Sequence, residues 1–598
     1  MCGFIGKIST DNINEEELKF SNRLIQCRGP DSKKNEHFKE NEFNFSLIFN
    51  RLSILDLSEN ADQPMSSSDG NSVLMFNGEI FNHQELRKEL ETKNIKFNTN
   101  HSDSEVILHG LEYFGKKFIS QLRGQFSIFY INKRKKTILL ARDRVGQKPL
   151  YYHISNNNLV IGSNLIAVSK LVHNKTISQR SINEYLMCGV ISSPNTIFEN
   201  IQKLKPAEII EIGYEDKLKI IDSEIFWKLA NFVDSKPFLS DEFFSILSDS
   251  ISIRNLADVP IANFLSGGID STAIIKNTKN FSNNINTFNV VIDNKKYDES
   301  HWAKLVSLKY ETNHTSIKLS SNISVENVLA ALESLDEPYS DPSLIPSFLI
   351  SKEMSKKYKV AISGDGGDEL LGGYKRFQNS LINSNYLKSL FSKIYDIYPP
   401  FLGTGNFFAS KSDSLETRYK SYLEDNKLSV LLNYDISETK IESLFKENLI
   451  DDNYKLLQLL EYEFFLSEMM MFKVDRSSMA NSLEVRSPFV DHLLIEYILS
   501  HTNNYYSPNK PKKILSDYLL EDFGVDFVLR KKQGFVFDIE NWVFKNLDFI
   551  KEVINNGTII KSMNPQIIKT LTINKSRINA QRIWKLFVLE NYLLRIDS

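Results

Sequence analysis

The texture of the chain divides it into two halves at residues 213–236, and that change restricts its architecture more than any other feature. Before it, short apolar runs (FSLIF, SVLMF, FSIFYI, TILLA, NLVIG) alternate with turn signals. Runs this short, rich in β-branched and aromatic side chains, predict strands of a layered β-rich unit. Helical patterns over 83–92 and 104–114 lie between them, which makes the unit α+β. After about residue 235, the runs IANFL, TFNVVI and KVAIS each lead into a small polar or glycine loop and then a helical pattern. That alternation predicts βαβ units on a mainly parallel sheet, an α/β fold. Beyond about residue 385 the pattern is mostly helical, with an amphipathic stretch over 461–480. Two domains are expected, 2–212 and 235–598, joined by a linker over 213–236.

Composition narrows the function. With 72 Lys+Arg against 75 Asp+Glu, the chain lacks the basic excess of a nucleic-acid binder. No stretch approaches the about 18 uninterrupted apolar residues of a membrane span. The start, MCGFIGKIST, lacks the basic and apolar regions of a secretory signal. Three scattered cysteines (Cys2, Cys27, Cys188) without a CxxC argue against a disulfide framework or a structural zinc site. A reducing, cytoplasmic setting is the simplest expectation.

Cys2 directly follows the initiator Met, and removal of that Met would place a thiol beside a free α-amino group. An amine of pKa about 7.7–8.0 can take the proton of a thiol of pKa about 8.5, activating it without a histidine. A lone second-position Cys is more often accidental, so the surrounding residues decide. Asn77 and Gly78, after SVLMF, offer the side-chain amide and backbone N–H that hold a developing oxyanion. Arg51 suits an α-carboxylate; Glu79 and Asp103 suit an α-ammonium.

MCGFIG, CRGPDS, RLSILD, FNGEIFNHQELRKEL, SDSEV and LLARDRVGQKPLYY resemble, in order and spacing, the N-terminal-nucleophile (Ntn) glutamine amidotransferase domain. The resemblance implies a layered Ntn-hydrolase sandwich in which Cys2 attacks the side-chain amide of L-glutamine and releases ammonia. It implies that Arg51, Asn77, Gly78, Glu79 and Asp103 bind glutamine, that Asn77 and Gly78 form the oxyanion hole, and that Arg28 and Asp31 shape the site. Cys27 and Phe49 stand where that family usually has histidines.

In the second half, Ser266-Gly267-Gly268-Ile269-Asp270-Ser271 sits between IANFL and a helical pattern. Two glycines permit close approach to an anion, and the following helix presents free N–H groups. No GxxxxGK[ST] occurs, so the loop is not of the Walker type. A second loop, Gly364-Asp365-Gly366-Gly367-Asp368-Glu369, follows KVAIS; carboxylates there suit Mg²⁺ with substrate phosphate.

SGGIDS, SGDGGDELLGGYKR, KVDRSSMANSLEVRSPFVD and RKKQGF resemble the ATP-pyrophosphatase domain of the glutamine-hydrolysing asparagine synthetase family. The resemblance implies that ATP adenylates a carboxylate, L-aspartate in that family, and that ammonia reaching it through an internal tunnel displaces AMP. Residue by residue it implies that Ser266, Gly267, Gly268, Asp270 and Ser271 cradle the pyrophosphate and that Leu265, Val290, Ser363 and Gly364 contact adenosine. Asp270 and Asp368 would bind Mg²⁺, Asp365 would support intermediate formation, and Lys532, with Lys473 the second choice, would neutralise phosphate charge. A homodimer is also implied. GFVF at 534–537 and LKPAEI at 204–209 depart from the family pattern. They leave open another carboxylate acceptor, such as a sugar acid of surface-polysaccharide synthesis. A non-catalytic binding protein derived from a synthetase would be marked by loss of Cys2, Asp270 or Asp368; all three are present.

Overall fold

A computed structural model describes residues 2–597 apart from 293–297, 321–322, 383–387, 435–437, 508–509, 511 and 531–536. In the N-terminal half, two six-stranded antiparallel sheets face each other. The first runs, edge to edge, through Gln202–Lys203, Tyr151–Ile154, Asn158–Gly162, Gly3–Ser9, Phe43–Arg51 and Ser32–Glu40. The second runs through Lys219–Ile225, Glu208–Gly213, Thr137–Arg142, Gly124–Asn132, Ser72–Ile80 and Met65–Ser66.

Side chains alternate across a strand, and that period separates the layers. Phe4, Ile8, Phe45 and Leu47 of the first sheet meet Val73, Met75, Phe129 and Leu140 of the second in one sealed core. Leu74, Phe76, Ile128 and Tyr130 point the opposite way, onto helices His83–Thr92 and Asp103–Phe114. Ile5, Ile48 and Val160 cover the far face with Leu18, Leu165 and Val168. The result is the helix–sheet–sheet–helix sandwich expected.

The segment read as a linker contributes a strand. Lys219–Ile225 pairs antiparallel with Glu208–Gly213 and closes the edge of the second sheet. Its side chains are mostly exposed, so no buried alternation marks it in the sequence.

The C-terminal half holds a five-stranded parallel sheet in the order Asn313–Leu319, Asn286–Ile292, Ile261–Phe264, Val360–Ile362, Glu484–Arg486. Two successive strands step outward from Ile261–Phe264, and the chain then crosses back to Val360–Ile362 on its other side. That reversal is a topological switch point, where crevices form beyond the carboxyl ends of strands. Both glycine-rich loops leave these two neighbouring strands. The helices Asn453–Leu460 and Met471–Met479 flank a π-helical turn over Glu461–Met470, and the stretch is buried on nearly all sides. The amphipathic pattern expected there arises because its polar side chains, Glu461, Asp475 and Arg476 among them, are buried in ion pairs. No helix among the described residues is long and apolar enough to cross a membrane.

Candidate active sites

Cys2 immediately precedes the first strand, so the sandwich core fixes its position. Its backbone N–H donates to Asn77 Oδ1 at 3.0 Å, and Arg28 Nε donates to its carbonyl at 3.2 Å. Cys2, Arg51, Gly78, Glu79 and Asp103 line one pocket, with Gln63 at its wall. Gly78 has φ +156°, and a β-carbon there would lie 2.0 Å from the Gln125 carbonyl oxygen. Only glycine fits so close to the neighbouring strand.

Asn77 is fully buried and outside the pocket lining, its Nδ2 in a long 3.5 Å contact with Ser127 Oγ. Arg51 also differs from expectation. Its Nη1 donates to Ser58 O and Asp62 Oδ1, both at 2.8 Å, and its Nη2 donates to Leu55 O and Asp56 O. The fork holds the chain's own rim loop, so a ligand carboxylate must compete with these acceptors.

The electrostatics of the pocket follow from burial. Burial pushes the Cys2 thiol up. Burial also raises Glu79 well above the usual carboxylate range, with the charges of Asp103 and Glu484 adding to it and Arg486 opposing. Asp103, raised by burial as well, accepts from Ile80 N at 3.0 Å. The pocket therefore concentrates acid groups that a bound cation would stabilise. Two of its supports come from the other half of the chain. Arg28 forms a bidentate pair with Asp475 at 2.8 and 3.0 Å, and Glu79 lies 3.3 Å from Arg486. Asp31 accepts from Lys359 Nζ at 2.8 Å.

At the switch point, Gly267 has φ +74°, and a β-carbon there would lie 2.6 Å from Ala303 N. This close packing seats the loop against helix Ser300–Tyr310, and Gly268 caps the N-terminus of helix Ile269–Thr278. Ser266 Oγ accepts from Gly268 N at 3.1 Å and lies 3.2 Å from Ser271 Oγ, so both hydroxyls face the turn. Leu265 N donates to Phe288 O at 2.7 Å, and Val290 lies on that same adjacent strand. The second loop touches the first: a β-carbon on Gly367 would lie 2.6 Å from Asp270 Oδ1. Ser363 Oγ donates to Asp365 Oδ2 at 2.8 Å, and Gly364 lies against Asp270.

Between the loops sits a residue the sequence did not single out. The Lys512 ammonium pairs with Asp270 Oδ2 and, at 2.6 Å, with Asp368 Oδ1. In the run NKPKK it reads as solvated charge, and only the fold buries it. A cation thus already bridges the two expected metal ligands. Two carboxylates that converge on one cation fit Mg²⁺ when phosphate and water supply the remaining oxygens. Among the described residues no group of three or more His, Cys, Asp or Glu could hold a metal unaided. Beside them, burial and the Asp368 charge push Glu369 up to about 7.

Lys532 lies outside the described residues, as do 534–536 of GFVF. Arg530, at the start of the same run, donates to Gly267 O and to Phe527 O. Lys473 donates to Ser343 Oγ at 3.2 Å and lies against Met470.

A thiol-based amide pocket joined to a glycine-loop nucleotide domain defines the class of two-site amidotransferases. Residues 1–223 match the glutamine amidotransferase domain model, and residues 242–594, more than half of the chain, match the asparagine synthase model. The chain belongs to the asparagine synthase family. It is 28% identical to asparagine synthetase [glutamine-hydrolyzing] 1 of Bacillus subtilis, over 98% of this chain and 96% of that one. It is 30% identical to a putative asparagine synthetase [glutamine-hydrolyzing] 2 of Methanocaldococcus jannaschii, over 63% of this chain and 76% of that one. It is 26% identical to amidase chry2 of Gibberella zeae, over 81% of this chain and 78% of that one.

Proposed function

We propose that the chain is a glutamine-hydrolysing asparagine synthetase: ATP adenylates the side-chain carboxylate of L-aspartate, and ammonia from L-glutamine displaces AMP. The observation that carries this reading is the convergence of Cys2, Arg51, Gly78, Glu79 and Asp103 on one pocket.

The α-amino group of Cys2, once Met1 is removed, takes the thiol proton that burial otherwise retains. The sulfur attacks the glutamine amide carbon; the C–N bond breaks and ammonia leaves with that proton, before water releases glutamate from the thioester. Gly78 N–H and the Asn77 amide hold the oxyanion, Asn77 after leaving Ser127. Glu79 and Asp103 take the α-ammonium group, and Arg51 takes the carboxylate.

At the second site, Ser266, Gly267, Gly268 and Ser271 donate to the pyrophosphate, and Leu265, Val290, Ser363 and Gly364 border adenosine. Asp270 and Asp368 would hold Mg²⁺, which supplies neutralisation of the leaving phosphates. Lys512 and Lys532 add positive charge, and Asp365 supports the adenylate and its attack by ammonia.

The test is pyrophosphate release from Mg-ATP with a panel of carboxylates. Release that requires L-aspartate, with asparagine formed once glutamine is added, is the expected result. Release with a different carboxylate alone would move the acceptor and leave the chemistry in place.

A further inference from the structure

Arg486 lies between the two halves with no accessible surface. It ends the edge strand Glu484–Arg486 of the nucleotide sheet. Its Nε donates to Glu484 Oε1 at 2.6 Å, and its Nη1 donates to the carbonyls of Arg254 at 2.9 Å and Leu256 at 2.7 Å. These bonds fix the guanidinium plane. The remaining nitrogen, Nη2, is buried, makes no hydrogen bond, and lies 3.3 Å from Glu79 Oε2 in the wall of the thiol pocket. A buried donor left unsatisfied is destabilising, so its orientation toward Glu79 calls for an explanation.

The backbone of the same residue faces the other site. Its carbonyl accepts from Ser363 N at 3.0 Å, at the head of the acidic glycine loop, and Ser487 Oγ lies 3.0 Å from Ser363 Oγ. One residue therefore touches the pocket of one domain with its side chain and the nucleotide loop of the other with its main chain.

We propose that Arg486, a residue of the nucleotide domain, is a positioning residue of the glutamine pocket: it orients the Glu79 carboxylate for the substrate α-ammonium and ties that pocket to the loop at Ser363. The inference rests on the reading of the pocket as a glutamine site. When ligand enters, Glu79 turns its free edge to the ammonium while Nη2 holds the other oxygen, completing the hydrogen bond that is missing here. The charged side chains facing Glu79 are Asp103, Glu484 and Arg486. Glu79 must be ionised to hold an ammonium, so glutamine affinity is lost as pH falls through its titration. Arg486 opposes that titration and Glu484 promotes it, which gives the two residues effects of opposite sign.

The experiment measures L-glutamine Kd against pH in the Cys2→Ala protein, where hydrolysis cannot interfere, alone and with Mg-ATP. Adding Arg486→Lys shortens the cation and removes its fork, leaving the ammonium on Glu484. Glutamine binding weakens about tenfold, and its acid limb moves to higher pH. Adding Glu484→Gln moves the acid limb to lower pH. A merely structural defect would weaken binding in both variants without opposite displacements. Displacements of one sign, or none, overturn the positioning role. If Arg486→Lys does not fold, Glu484→Gln decides alone: a downward displacement supports the role and no displacement overturns it. Mg-ATP should change glutamine Kd about fivefold or more in the parent, and this response should vanish in Arg486→Lys. A response unchanged by the substitution overturns the tie to the nucleotide loop. No glutamine binding at any pH would sink the reading of the pocket and this inference with it.

Discussion

A thiol raised by burial is a weak nucleophile until a base removes its proton, and the base covalently nearest to Cys2 is its own α-amino group. The two reactions therefore separate at a single atom. Cys2→Ala is expected to lower glutamine-dependent synthesis about a thousandfold or more and to leave ammonia-dependent synthesis within about twofold. Equal loss of both activities would contradict a two-site scheme. Lys512 is the corresponding residue of the second site. Replacing it by Met leaves Asp270 and Asp368 facing each other without the cation that joins them. Pyrophosphate release should fall about a hundredfold while glutaminase activity is unchanged. The same variant should melt at lower temperature in chelator and recover when Mg²⁺ is added, because the metal then occupies the place of the lost charge.

Helix Asp103–Phe114 presents Asp103 to the thiol pocket from its first turn, and a pH-sensitive pair farther along helps hold it. Against its burial, the neighbouring carboxylates of Glu105, 3.5 Å away, and Glu112, hydrogen-bonded at 3.0 Å, push His109 up to about 9. A raised folded pKa stabilises the protein fully below the unfolded value of about 6.5, and that contribution disappears as pH climbs through about 9. Chemical denaturation should show the stability deficit of His109→Asn at pH 6 exceeding its deficit above pH 9.5 by at most about 3 kcal/mol. Helix Met471–Met479 acts across the domain boundary: Asp475 receives Arg28, with Lys148 and Arg476 beside it. Asp475→Asn leaves three cations around a neutral amide, so glutaminase activity should drop about tenfold although Asp475 lies outside that domain. An assay with ammonia as donor should show little change. What the sequence disclosed at this scale follows period and loop chemistry. SVLMF, FSIFYI, IANFL and KVAIS are strands because their apolar runs match buried faces, and both glycine loops lie where strand–loop–helix alternation put them. Asn313–Leu319 and Glu484–Arg486 were not legible: one opens with four polar residues and the other is three residues long. Lys512 and Arg486 escaped for a different reason, since their roles depend on contacts hundreds of residues away in the chain.

At the scale of the molecule, the two halves meet through charge as well as apolar surface. Arg28 with Asp475, Glu79 with Arg486, Lys203 with Glu337, and Arg123 with Asp491 all cross from one half to the other. Each pair except the last is buried on both sides, and Arg123 is nearly so. Taking such groups out of water is unfavourable unless both partners are present, and removing one partner costs about 3–5 kcal/mol per pair. A domain whose own surface carries Arg28, Glu79 and Lys203 in these positions is therefore not self-sufficient. It needs its neighbour to set the charge and geometry of its catalytic pocket. Sequence motifs identify the two chemistries separately because each set of motifs lies within its own domain. They do not disclose this dependence, because nothing in the motif that holds Asp475 and Arg486, nor around Glu337, marks a partner in the other half until the fold brings them across. The dependence has a direct consequence. Residues 2–234 produced alone should retain the far-ultraviolet spectrum of the sandwich, since the core between its sheets and the one under helices His83–Thr92 and Asp103–Phe114 are complete within that segment. Its glutaminase activity should be about 1% or less of the whole chain's, because Arg28 and Glu79 have lost the partners that orient Cys2 and the ammonium site. Supplying the remaining residues as a second polypeptide should restore activity in proportion to the complex formed. A fragment fully active on its own would mean that these buried charges are satisfied within the sandwich, and that the contacts across the boundary hold the domains together without shaping the pocket.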